Sequence, residues 1–99
     1  MQMFLLATKL SPDSTRDPAI IKENGQRWLE AVKVNCPEVK WLHHYALVGQ
    51  YDFISIYQAP DLETAAKVSV ISMSLGALKA ESWPAIPYHD FVEMLATIR

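Results

Sequence analysis

Two adjacent histidines, His43 and His44, are the side chains best suited to acid–base chemistry near neutral pH. They lie in a run over residues 39–48 that is rich in β-branched and aromatic residues, which predicts a strand. Successive side chains of a strand point to opposite faces, so the two imidazoles cannot both enter one mononuclear site. His44 can serve as a general base, as a ligand for a metal or haem, or as a hydrogen-bond partner in a core. These alternatives remain open.

A second candidate group, Tyr51-Asp52, follows the Gly-polar pair Gly49-Gln50 between two strand-like runs. The pattern predicts a tight hairpin in which glycine takes a positive φ. A carboxylate just past a turn can accept hydrogen bonds from free backbone N–H groups, so Asp52 is interpreted as a brace. The alternative places Asp52 at a pocket mouth, where it binds a cation or a polar ligand. Tyr51 is interpreted as a packed ring with a surface hydroxyl rather than a catalytic phenol.

A two-residue turn at Gly49-Gln50 fixes which side chains share a face, because directly opposed residues are neighbours. One face then holds Val48 with Tyr51, Ala46 with Phe53, His44 with Ser55, and Leu42 with Tyr57. The other holds Leu47 with Asp52, Tyr45 with Ile54, His43 with Ile56, and Trp41 with Gln58. A single β-bulge would exchange the sets on one strand. Both faces carry large apolar groups, which predicts that the face without helices is buried against a second copy of the chain.

The expected pocket lies on that shared face of the sheet. Its predicted ligand-binding residues are His44, Ser55, Tyr57 and Trp83. A small apolar or aromatic ligand would suit their surroundings. His89 lies in a loop from which it could reach a neighbouring site, and the sequence leaves open whether His43, His44 or His89 binds a metal or haem. No phosphate-binding loop, metalloprotease motif or nucleophile elbow is present, so no cofactor is named.

Length and composition limit the number of domains, the classes of partner and the possible covalent links. The 99 residues suffice for one domain, over residues 1–99, with a modest core. A formal charge of -2 gives no electrostatic attraction to nucleic acid or to an acidic membrane. Cys36 is the single cysteine, which excludes an internal disulfide, and its place before Pro37 at a helix end predicts an inert thiol. No apolar run is long enough to cross a bilayer, and cytoplasmic residence is expected.

Capping signals define the elements around these residues. Asp17-Pro18 and Asp61 predict helix starts, Cys36-Pro37 a helix end, and Gly76 a left-handed C-terminal cap. The predicted strands cover residues 1–8, 39–48, 51–58 and 77–83, and the predicted helices cover 18–35, 62–75 and a short segment from Asp90. This order predicts an α+β, ferredoxin-like βαββαβ fold with an antiparallel sheet, two helices on one face and an extra C-terminal helix.

The hairpin also carries a family resemblance. Gly49-Gln50-Tyr51-Asp52, followed by Phe53-Ile54-Ser55-Ile56 and then Ala59-Pro60-Asp61, resembles the GYD domain family over nearly the whole chain. The resemblance implies a dimeric α+β barrel, in which two ferredoxin-like sheets pack face to face. The fourth strand departs from the family pattern: members tend to have Glu-Thr-Leu-Arg-Ala-Phe where this chain has Lys79-Ala80-Glu81-Ser82-Trp83-Pro84. The family implies no settled activity.

The sequence therefore predicts a small homodimeric ligand-binding or sensor module with an apolar cavity at the sheet face. The alternative is a cofactor-poor or haem-handling enzyme of the dimeric α+β barrel type that uses a pocket histidine. A structural subunit of a larger complex is a third interpretation. No nucleic acid or membrane partner is expected in any of them.

Overall fold

The strands and helices follow one another in the predicted order. A computed structural model describes all 99 residues. Its elements are β1 (Gln2–Leu10), α1 (Pro18–Asn35), β2 (Lys40–Ala46), β3 (Phe53–Ala59), α2 (Leu62–Ser74), β4 (Ala77–Ala85) and α3 (Tyr88–Leu95). The strands form one antiparallel sheet in the order β2-β3-β1-β4. The predicted α+β, ferredoxin-like fold is confirmed.

Helix caps account for two of the predicted boundaries. The Asp17 carboxylate accepts a hydrogen bond from the backbone N–H of Ala19 at 2.9 Å, and α1 starts there. At the start of α2, Asp61 accepts from the N–H and the hydroxyl of Thr64 at 2.8 and 2.7 Å. These bonds lower the pKa of the Asp61 carboxyl, and the bond from the backbone N–H has the larger effect. Each cap satisfies N–H groups that the first turn of a helix leaves unpaired.

Several element boundaries differ from the prediction by one or two residues, the strand ends of the hairpin among them. A 3₁₀ turn, Pro12–Thr15, occupies the segment predicted as a simple break. β4 continues through Pro84 to Ala85, which an edge strand tolerates because its outer N–H groups need no partner. α3 begins at Tyr88 instead of Asp90, without any side-chain cap.

The core lies between the helices and one face of the sheet, which we call the helix-covered face. Phe4 and Leu6 of β1 and Tyr57 of β3 are buried there against Val32 of α1 and Val68 of α2. Alternate β3 residues follow this pattern, because every second side chain of a strand points to the same face. The opposite face, which we call the open face, has no helix over it within this chain.

Polar groups under α2 are paired in a short chain of hydrogen bonds. The Tyr57 hydroxyl lies 2.8 Å from Ser82 Oγ, which lies 2.8 Å from Ser69 Oγ on α2. No buried side-chain nitrogen or oxygen lacks a partner. The core can therefore hold these hydroxyls without the penalty of an unsatisfied polar group.

The β2–β3 register agrees with the prediction at one end only. His44 faces Ser55, Ala46 faces Phe53, and His43 and Tyr45 face their predicted partners on β3. The register shifts between Trp41 and His43, so Trp41 faces Tyr57. The predicted pairs Leu42–Tyr57 and Trp41–Gln58 are therefore wrong. A bulge at Leu42 brings Trp41 to the same face as His44.

The predicted glycine turn at Gly49-Gln50 is also wrong in its backbone form. β2 ends at Ala46 and β3 starts at Phe53, and Gly49 does not have a positive φ. The Leu47 N–H still donates to the Asp52 carbonyl at 2.8 Å, which preserves that predicted pair. Gly76, with φ of 107°, has the left-handed conformation that the sequence predicts.

The α3 helix projects from the rest of the domain. None of its residues is buried, and the molecule extends 54 × 30 × 18 Å. The predicted apolar stripe is present at Phe91, Met94 and Leu95, but it is partly exposed, and Ile98 lies beyond the helix end. None of the helices combines the length and apolar composition needed to cross a membrane.

Replacing Gly76 by alanine is expected to destabilise the fold by about 1–3 kcal/mol, because a positive φ is strained for residues with a Cβ. That Cβ would also lie 2.5 Å from Ser14 Oγ. Gly49→Ala is the matched control: its Cβ would meet nothing within 4 Å. Urea unfolding followed by circular dichroism measures both. Equal losses of stability in the two variants would contradict the assigned backbone conformations.

Candidate functional site

The predicted site residues are divided between the two faces of the sheet. Ser55 and Tyr57 lie on the helix-covered face, and His44 opposite Ser55 shares it. Trp83 pairs with Leu5 and lies on the open face. The predicted location of His44, Ser55 and Tyr57 on the open face, together with Trp83, is therefore wrong. Both faces are apolar, and the sequence pattern could not indicate which one the helices cover.

A cavity of about 560 Å³ lies between α1 and the helix-covered face. His44 and Ser55 line it, together with Trp28 of α1, Trp41 of β2 and Phe53 of β3. Tyr57 and Trp83 do not line it. The structure thus brings two of the four predicted ligand-binding residues into one cavity, between the helix and the sheet.

The cavity exists because the first half of α1 stands away from the sheet. This helix packs mainly on α2 and on the 3₁₀ turn. Gly25 lines the cavity, and a Cβ built there would meet no atom within 4 Å. The second half of α1 reaches the core, where Val32 is fully buried. The helix is therefore anchored at its C-terminal half and leaves space under its N-terminal half.

A row of rings forms one wall of this cavity and continues into the core at Tyr57. The His44 ring stacks between Phe53 and Trp28, with centroid distances of 5.5 and 5.9 Å. Trp28 then meets Trp41 at 5.0 Å, and Trp41 meets Tyr57 at 5.1 Å. Offset or tilted rings at these distances attract one another beyond the burial of their area. The row presents flat apolar surfaces next to a small number of polar atoms.

Three hydrogen bonds place the polar atoms of the cavity. His44 Nδ1 lies 2.5 Å from Ser55 Oγ. Trp28 Nε1 donates to Ser72 Oγ at 2.7 Å, and Ser72 Oγ donates to the Val68 carbonyl at 2.8 Å. Nδ1 is the only ring nitrogen of His44 that bonds within the chain, which leaves Nε2 available to a ligand. Partial burial lowers the pKa of His44, which favours the neutral imidazole.

The Tyr51-Asp52 pair connects different parts of the sheet. Asp52 Oδ2 accepts a hydrogen bond from the Leu10 N–H at 2.7 Å and lies 3.8 Å from Lys9 Nζ. Asp52 is thus a brace, as interpreted from the sequence, but it holds the end of β1 and not the turn itself. The Tyr51 hydroxyl donates to Glu81 on the open face at 2.5 Å, and this bond raises the pKa of Tyr51.

The other titratable candidates lie apart from the cavity. His43 is on the open face, where its ring stacks on Tyr45 at 6.0 Å, and His89 pairs with Glu93 on α3 at 3.1 Å. No group of three or more His, Cys, Asp or Glu side chains is placed to hold a metal ion. Cys36 is buried, and burial raises the pKa of its thiol, which agrees with the inert thiol expected.

Sequence analysis missed Trp28 and Ser72 as site residues. The helical spacing of Ile21, Gly25, Trp28, Leu29 and Val32 predicts only a buried side of α1. Ser72 is interpreted from the sequence as a small residue that allows close packing or faces water. One signal was present: Gly25 lies three residues before Trp28, so the same side of α1 carries a large ring beside a missing side chain. Such a step in side-chain size leaves space next to the ring.

The pKa of His44 predicts a pH dependence of stability. Burial lowers this pKa in the folded chain from its ordinary 6.5, so the unfolded chain takes up the proton first as the pH falls. The free energy of unfolding should therefore decrease as the pH drops from about 7 to about 5. Urea unfolding at fixed protein concentration should show a smaller decrease for His44→Gln, whereas His89→Gln on the exposed α3 should retain it. An unchanged slope in His44→Gln would contradict the assignment.

Three comparisons place the chain among known proteins. The GYD domain model matches residues 4–95. A Thermus thermophilus protein named "Glutamine synthetase and cystathionine beta-lyase binding protein" is 28% identical over 99 residues, covering 96% of this chain and 99% of its own length. The crystal structure of FFRP-DM1 superposes with a TM-score of 0.58 at 18% identity, over 87% of this chain and 100% of that one, which supports the fold. The match over nearly all of its residues shows that the chain belongs to the GYD domain family.

Proposed function

We propose that this chain is a homodimeric binding module whose cavity under α1 takes a small apolar or aromatic ligand. The observation that carries the proposal is the cavity itself, which has ring-lined walls and one polar pair, His44 and Ser55. Its volume of about 560 Å³ is within the range of small-molecule sites. The relative from Thermus thermophilus, named as a binding protein, supports a binding role.

The ring row supports a flat ligand in particular. Trp28 and Phe53 offer apolar faces to the cavity, and aromatic faces favour stacked partners. His44 Nε2 would contact a polar atom of the ligand, and Ser55 would fix the orientation of the imidazole through Nδ1. In this proposal Tyr57 does not contact the ligand but packs on Trp41, which lines the cavity. Trp83 belongs instead to the surface between the two copies.

The dimer part of the proposal is supported by the open face. Leu5, Ile54 and Ile56 are only partly buried there, and Trp83 is 42% exposed. The apolar side of α3 is exposed as well. Exposed apolar side chains grouped on one face favour an interface with another molecule. A second copy of the chain would cover this face with an identical surface, as two-fold dimers do.

A sensor role follows if occupancy of the cavity is detected by a protein partner. The name of the relative refers to two enzymes that it binds. We propose that this chain likewise contacts a partner protein and that the ligand under α1 alters this contact. A ligand shifts such an equilibrium only by binding one state better than the other.

Filling the cavity should abolish ligand binding. Gly25→Leu places a side chain into the space beneath α1 and improves helix propensity, so the fold should tolerate it. Calorimetric titration with 2-naphthol, a neutral planar probe, should show binding to the wild type and at least a tenfold weaker affinity for Gly25→Leu.

The control is Gly49→Leu, which makes the same substitution in open space on the hairpin. It should bind 2-naphthol as the wild type does. Equal affinity in Gly25→Leu and the wild type would contradict the assigned site. Native mass spectrometry of protein purified from the organism that makes it adds a second readout, because it detects a retained ligand. Recovery of a ligand together with its reaction product would favour the enzyme alternative.

Light scattering tests the dimer. The wild type should have the mass of two chains at micromolar concentration, and Ile56→Lys should be monomeric because it places a charge on the open face. Val70→Lys, at an exposed site on α2, should remain dimeric. A stable wild-type monomer would contradict this part of the proposal.

A further inference from the structure

We infer that the cavity under α1 selects a planar aromatic compound that carries an anionic group, such as a fused-ring carboxylate. This inference rests on the proposed function and names the class of its ligand. It is drawn from the charges around the cavity and from their position relative to the ring row.

The cavity lining contains no Asp or Glu. Lys22 is its one residue with a permanent charge, although acidic residues outnumber basic ones in the chain, 11 to 9. The other polar lining residues are neutral, among them Asn24 and Gln26 of α1. An anion entering this space meets no carboxylate to repel it, and it finds one cation and several hydrogen-bond donors.

The ring-lined part of the site is electrically neutral. His44 lies between two aromatic rings and bonds to Ser55, a neutral hydroxyl. Burial of the imidazole disfavours its charged form. Recognition of charge therefore depends on Lys22, whereas the ring row recognises the flat body of the ligand.

The spacing along α1 separates these two functions. Lys22 precedes Trp28 by six residues, which is about 9 Å along the helix axis. Lys22 is exposed and Trp28 is partly buried, so the ammonium lies at the solvent side and the indole at the inner side. A ligand with rings at one end and an anionic group at the other matches this arrangement. A short aliphatic acid would contact only one of the two features.

Asp52 is an acid that bonds to Leu10, one of the residues that line the cavity. Its carboxylate bonds to the backbone N–H of Leu10 and lies 3.8 Å from Lys9 Nζ. It is thus engaged with β1 and is not part of the lining. Glu23 follows Lys22 on α1 but also lies outside the lining, because adjacent helical residues point in different directions.

Three probes that share one ring system test the inference: 2-naphthoate, 2-naphthol and 2-naphthylmethylammonium. Calorimetry at low ionic strength should rank the affinities in that order, with the anion bound about fivefold tighter than the neutral probe, as a single partly solvated ion pair allows. Lys22→Gln should remove this preference and leave 2-naphthol binding unchanged. The preference should also decrease with added salt.

Lys33→Gln is the matched control, since Lys33 is exposed on the same helix and lies outside the lining. It should keep the wild-type ranking. Equal affinity for all three probes, or no effect of Lys22→Gln on naphthoate, would overturn the anionic class while the proposed binding site stands. A fourth probe, 2-naphthyl phosphate, carries a different anionic group on the same rings. Binding as tight as that of 2-naphthoate would support recognition of an anionic group in general, carboxylate or phosphate. Failure of every probe to bind would overturn both the inference and the proposed function.

Discussion

The contact of Trp28 with the sheet is the constraint on which the site depends. Its indole packs on Trp41 and His44, and its N–H is held by Ser72 of α2. A large ring in this position acts as a spacer, because close-packed interiors cannot compress side chains. α1 can therefore reach the core only beyond Trp28, at Val32. The space before Trp28, which Gly25 leaves unfilled, is the cavity.

The GYD signature connects the two faces of the sheet. Asp52 holds the end of β1 through the N–H of Leu10, and Leu10 also lines the cavity. The neighbouring Tyr51 crosses to the open face, where its hydroxyl bonds to Glu81 and its ring meets Trp83 edge-on at 6.0 Å. Both residues make contacts that connect strands of the sheet. Their positions nevertheless place the hairpin between the proposed ligand site and the proposed dimer surface.

The sequence predicted the fold well because its signals are local. Asp17, Asp61 and Gly76 mark helix ends by hydrogen bonding or by backbone freedom, and all three lie where predicted. The pairing of His44 with Ser55 was likewise predicted from the spacing across the hairpin. The bulge at Leu42 has no such local mark, so the sequence predicts Trp41 and His44 on opposite faces, whereas they share one.

The site was harder to predict because it depends on relations between elements. Two apolar faces look alike in a sequence, and only the packing of Val32 and Val68 decides which face is covered. For the same reason the helical pattern of α1 shows that Trp28 points inward but not how far the helix lies from the sheet. The distance between helix and sheet follows from the sizes of rings that meet across it, which are far apart in sequence.

The proposed sensor needs a physical path from its ligand to its outer surface, and a short series of hydrogen bonds in the hairpin could provide it. Leu10 lines the cavity, its N–H donates to Asp52, and the adjacent Tyr51 reaches Glu81 on the open face. A ligand that shifts the end of β1 acts directly on a hydrogen bond to a carboxylate, which is among the stronger contacts of this hairpin. Coupling between cavity and dimer would then be reciprocal: whatever dimerisation does to ligand affinity, the ligand does equally to dimerisation. In the proposed sensor, regulation would need no large rearrangement, since the Tyr51-Asp52 pair contacts both the end of β1 and the open face.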